Sequence, residues 1–113
     1  MSITRIEVGP RMSQAVVHGN TVYVAGQVAL GDGVAAQTKA ILGQIDALLA
    51  AAGTDKTKLL TTTIYLADIS TFAQMNSEWD AWVSAGNTPA RATVEAKLAT
   101  PDYVVEIVVS AAI

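Results

Sequence analysis

The sequence predicts an α+β fold in which two helices lie against one face of a mixed β-sheet. Three observations predict it. Short runs of β-branched and aromatic residues near the N-terminus are punctuated by Gly, Pro and Asn; two longer segments repeat their apolar residues at helical spacing; and each of those is followed by strand-like sequence.

Each element follows from its residues. Ile3 to Val8 alternates and stops at Gly9-Pro10, a short strand closed by a turn. Gln14 to His18 and Thr21 to Ala25 favour strands and are separated by Gly19-Asn20, a dipeptide suited to a two-residue hairpin turn. His18 flanks that turn, so its imidazole is expected in solvent. Gly31-Asp32-Gly33 opens a helix to about Ala52, with Val34, Ile41, Ile45, Leu48, Leu49 and Ala52 on one face and Gly53 as its stop. Leu59 to Leu66 is rich in Thr, Ile and Tyr and reads as a strand. Ser70 or Thr71 is expected to cap a second helix, with Gln74 in capping-box position and Gly86 marking the end. Phe72, Met75, Trp79 and Val83 would form its inner stripe, and Met75 and both tryptophans are read as core. Two strands close the chain, one over residues 88–96 and one over Tyr103 to Ile113. No repeat or linker interrupts this order, which predicts a single domain over residues 1–113.

Composition bounds the function. Hydrophobic residues make up 51% and charged residues 15%, against roughly 25% charged in average soluble proteins. The last strand is apolar on both faces, so the sheet side away from the helices is expected to meet protein, most simply another copy of the chain. No uninterrupted apolar run reaches the roughly 18 residues that cross a bilayer, and no secretory leader is legible, so a cytoplasmic protein is expected. Cysteine is absent and His18 is the single histidine, which argues against thiolate chemistry and a protein-held metal. A net charge of −3, with seven scattered lysines and arginines, offers no basic stripe for nucleic acid.

Two charged residues stand out. Ala90, Ala92, Val94 and Ala96 alternate with Arg91, Thr93 and Glu95, so one strand face gathers a cation, a hydroxyl and an acid. Glu106 lies between Val104, Val105, Ile107 and Val108, where a lone carboxylate would be costly without a partner or a task. If Lys97 and Asp102 pair across a final hairpin, Glu106 falls opposite Thr93, and Arg91, Thr93 and Glu106 share a face. Arginine is a two-pronged carboxylate clamp, and a glutamate against an apolar wall can serve as a base or orient a water. Residue types alone leave open a structural ion pair of Arg91 with Glu106 or Glu95.

The chain resembles the Rid, or YjgF, family of reactive intermediate deaminases, and looks most like its short YoaB-like members. GPRMSQAVVHGNTVYVAGQVAL resembles the N-terminal family block, FAQMNSEWDAWV the second-helix block, and TPARATVEAKLATPDYVVEIVVSAAI the C-terminal signature. The resemblance implies a chorismate-mutase-like sheet assembled as a homotrimer with clefts between subunits. It implies cofactor-independent hydrolysis of imines and enamines such as 2-aminoacrylate to 2-keto acids and ammonia. By position, Arg91 matches the arginine that binds the substrate carboxylate, and Glu106 the acid that places the attacking water. Thr93 stands where many members carry cysteine, a position acting mainly through its backbone. Gly26 matches a glycine lining the cleft, and Asn76 an asparagine supporting the site. The family pattern G-P-Y-S-Q-A-V offers a tyrosine; here Met12 precedes Ser13 and cannot donate a phenolic hydrogen bond. A non-catalytic keto-acid or amino-acid binder is the alternative. Ribonuclease activity, assigned to some members, fits the acidic balance poorly.

Overall fold

The computed structural model describes residues 1–113. Six strands and two helices follow one another as β1 (Ile3–Val8), β2 (Ser13–His18), β3 (Thr21–Gln27), α1 (Val34–Ala51), β4 (Leu59–Leu66), α2 (Phe72–Trp82), β5 (Ala90–Glu95) and β6 (Val105–Ala112). The expected elements are all present, and the fold is α+β with both helices on a mixed sheet. Gly19 takes a positive φ of 62° at the β2–β3 turn, as the first position of a two-residue hairpin turn requires, and His18 is exposed. Gly53, at φ 86°, ends α1 where expected.

The sheet runs β1-β2-β3-β6-β4-β5. β6 is antiparallel to both β3 and β4, and β5 is parallel to β4. This order overturns the expected hairpin between the last two strands. A chain that leaves β4, forms α2 and returns must lay the next strand parallel, and β5 takes the outer side of β4. β6, whose Val105, Ile107, Val109 and Ala111 are all buried, fills the centre instead of pairing with β5. Glu106 therefore lies opposite Tyr65, not Thr93.

α1 lays Val34, Ile41, Leu42, Ile45, Leu48 and Leu49 onto the sheet, where they meet Val22, Val24, Ile64, Leu66 and Ile107. Met75 and Trp79 add the α2 side of this core. Trp82 is only half-buried, its Nε1 donating to Asp46 Oδ2 of α1 at 3.0 Å. Phe72 departs from the expected core stripe and is 38% exposed, and Val83 lies just past the helix end. Neither Ser70 nor Thr71 caps α2 through its side chain. A 3-10 turn, Ile69–Thr71, precedes the helix, and Asp68 caps that turn by accepting from the Ser70 N–H at 2.9 Å.

The molecule measures 42 × 37 × 19 Å, the thin dimension of one sheet plus one helical layer. On the sheet face away from the helices, Tyr23 is 54% and Val94 43% exposed. β6 alternates between fully buried residues on the helix side and half-buried ones on this open face. No helix is long and apolar enough to cross a membrane.

Candidate functional site

Parallel pairing decides where Arg91 points. It lies beside Thr62, and Thr93 beside Ile64; Thr62 and Ile64 are buried under the helices, so Arg91 and Thr93 share that side. α2 meets them with Phe72, Asn76 and Trp79, spaced along one helical face. Arg91 Nη1 donates to Asn76 Oδ1 at 2.7 Å. Its Cζ stands 5.8 Å from the Phe72 ring centroid and 5.3 Å from that of Trp79, both within cation–π range. The guanidinium stays exposed at the sheet edge. A neutral acceptor and two ring faces fix it without neutralising it, leaving most of its five donors for an anion. Thr93 Oγ1 is buried beside it without a hydrogen-bond partner, as is Thr62 Oγ1.

Glu106 lies on the opposite face of the sheet. It sits in β6 across from Tyr65, while the neighbouring Ile107 and Ile64 face the helices. Its carboxylate rests against Gly26, at a break in register between Val24 and Gln27 of β3. A methyl group on Gly26 would come 2.9 Å from Glu106 Cδ, so any side chain there would displace the Glu106 carboxylate. Thus Arg91, Thr93 and Asn76 form one group and Glu106 and Gly26 another, and the expectation that Arg91, Thr93 and Glu106 share a face fails with the hairpin register that produced it. The internal Arg–Glu pair fails as well. Arg91 bonds Asn76, Glu95 accepts from the Ile69 N–H at 3.0 Å, and Glu106 is across the sheet.

Met12, 48% exposed, joins Gly26 in lining a groove of about 520 Å³ between the β2–β3 pair and α1. Ser13, half-buried, begins β2 opposite Val8. Sequence reasoning missed Phe72 and Trp79 as walls of the arginine site. The available signal was Asn76, an amide four residues after one aromatic and three before another, on the same helical face as both.

The model of the family described as Endoribonuclease L-PSP matches residues 2–113. A crystal structure of a YjgF-family protein from Neisseria meningitidis superposes with a TM-score of 0.97 at 46% identity, covering 99% of this chain and 95% of that one. The chain belongs to the YjgF/Rid family. Within it, the chain is 47% identical over 114 residues to the RutC family protein YoaB of Escherichia coli, with both chains fully covered. It is 37% identical over 91 residues to the 2-iminobutanoate/2-iminopropanoate deaminase of Rattus norvegicus, spanning 74% of this chain and 66% of the rat protein.

Proposed function

We propose that the protein deaminates reactive 2-imino and enamine acids, such as 2-aminoacrylate, to 2-keto acids and ammonia, at clefts formed between copies of the chain. The observation that carries this is the Arg91 guanidinium, exposed, held by Asn76, Phe72 and Trp79, and not spent on a carboxylate of its own chain. The similarity to the rat deaminase supports the reaction class. Because Arg91 and Glu106 occupy opposite faces of one sheet, a cleft holding both takes Arg91 from one copy and Glu106 from the next. The apolar open face around Tyr23, Val94 and Val108 suits the homotrimer that would bring them together.

The chemistry asks for positioning. The imine carbon is already electrophilic, so no covalent nucleophile is needed. Arg91 clamps the substrate carboxylate; an enamine first gains a proton at C3 from solvent to become the imine; Glu106 takes a proton from a water whose oxygen bonds to C2 as the C=N π pair moves to nitrogen. Glu106 then returns that proton to the amine, the C–N bond breaks to release ammonia, and the hydroxyl proton is lost to solvent as the carbonyl forms. Thr93 and Gly26 contribute backbone groups to the cleft, with Met12 and Ser13 at its edge. Net charge −3 and the absence of a basic stripe do not suit the ribonuclease named in the family's description.

The test is release of ammonia and keto acid from enzymatically generated 2-aminoacrylate. Hydrogen bonds to charged groups are each worth roughly 1.5–3 kcal/mol, so losing a two-pronged clamp in Arg91→Ala should cost a hundredfold or more in kcat/KM. Glu106→Gln should lower kcat more than it changes KM. An undiminished Arg91→Ala rate overturns the proposal. A rise in melting temperature with small 2-oxo acids but no turnover would indicate a binding protein instead.

A further inference from the structure

We infer that Tyr65 is a further catalytic residue for the proposed deamination, its phenol oxygen holding the attacking water together with Glu106; this rests on the site reading above. β4 and β6 pair antiparallel, and Tyr65 lies directly opposite Glu106. Residues so placed carry their β-carbons about 5 Å apart on one face of the sheet. Here that face is the open one, and both side chains are half-buried. The Glu106 carboxylate rests against Gly26 of β3, on one side of β6, while Tyr65 stands on β4, on the other. The acid is thus flanked by bare backbone and by a phenol.

The surroundings single out this phenol. The next residue of β6 on the open face is Val108, and the β5 neighbour of Tyr65 is Val94, both apolar. Thr63, diagonal to Glu106, has a hydroxyl on a much shorter side chain. Further along the ladder the Thr61 and Ser110 hydroxyls satisfy each other at 2.6 Å, whereas no hydrogen bond joins Tyr65 to Glu106. Another copy laid over this face would take both groups out of bulk water, where an unpaired polar atom is costly. One water between them satisfies both.

The reaction asks for the same water. Its lone pair must point at C2, yet a water held by Glu106 alone can swivel about that single hydrogen bond. A phenol oxygen that accepts the second O–H removes this freedom and sets the direction of attack. Glu106 still takes the proton, the hydroxyl formed on C2 keeps its bond to Tyr65, and the phenol proton is neither gained nor lost.

Tyr65→Phe keeps the ring and removes the oxygen. Steady-state kinetics on 2-aminoacrylate should show kcat about tenfold lower, the equivalent of one hydrogen bond, with KM held within about twofold. Tyr23→Phe removes the same atom from the same face, opposite Ser110 and away from Glu106, and should turn over like wild type. An undiminished kcat in Tyr65→Phe overturns the inference, and so does a change confined to KM. An equal loss in Tyr23→Phe overturns it too, because the effect would then belong to assembly of the face. Should Tyr65→Phe not fold, Tyr65→Leu takes its place with the same expectations. Wild type and Arg91→Ala separate the two levels of argument. If wild type is active and needs Arg91 but Tyr65→Phe matches it, the role of Tyr65 falls and the site reading stands; if wild type shows no turnover, or Arg91→Ala equals it, both fall.

Discussion

At Arg91 the guanidinium meets α2 through one amide and two rings, so its rotamer is chosen before any ligand arrives. A side chain already ordered loses less entropy on binding, which would make the proposed clamp more effective than the same arginine on a free surface. At Gly26 the constraint is steric. Gly26→Ala would drive a methyl into the Glu106 carboxylate, and in a packed sheet the side chain is what must give way. The expected outcome is a fall in kcat of tenfold or more with KM for 2-aminoacrylate held within about threefold, because in the proposed mechanism the displaced group aims the water while Arg91 holds the substrate. Steady-state kinetics on the purified variant check this, and a selective rise in KM would mean that Gly26 serves binding instead.

The approach to α2 depends on Asp68, whose carboxylate accepts from both the hydroxyl and the backbone N–H of Ser70. Those bonds, the hydroxyl first and the N–H second, hold its pKa below the ordinary 3.8. A carboxylate stabilised in the fold contributes stability above its unfolded pKa and loses it as pH falls through the lower folded value. Asp68→Ala should therefore melt below wild type at neutral pH, with the gap closing on acidification below 3.8; thermal melts across that range check it. Asp68 also shows where local reading stops. A helix start was legible near Thr71, but the 3-10 turn that moves the cap three residues upstream has no spacing signature of its own. The strands were legible because alternation and turn residues are local. Their order was not: a Lys97–Asp102 hairpin is locally reasonable, yet β5 goes to the edge because α2 returns the chain parallel to β4, and β6 goes to the centre because its apolar residues demand cover. The same gap explains the site. Arg91 and Glu106 were conspicuous as charges among small or apolar neighbours, whereas their faces depended on a pairing no local pattern encodes. Phe72 and Trp79 fit a core stripe equally well until Arg91 is seen lying over them.

For the whole molecule, the separation of Arg91 and Glu106 by the thickness of the sheet becomes a statement about assembly. A single chain cannot offer both to one small substrate; on the proposed reading a closed ring of chains would, each cleft drawing the clamp from one member and the acid from the next. That arrangement predicts complementation. Arg91→Ala and Glu106→Gln chains, each nearly inactive alone, should recover activity when unfolded together and reassembled at equal concentration. A cleft is intact when its first contributor retains Arg91 and its second retains Glu106. Random assortment makes that true for about one quarter of clefts, whatever the number of chains in the ring. The mixture should therefore regain about a quarter of wild-type turnover of 2-aminoacrylate, while the same variants mixed without unfolding stay inactive for as long as the rings do not exchange subunits. If each cleft instead took both groups from one chain, no mixture could contain an intact one, and reassembly would recover nothing.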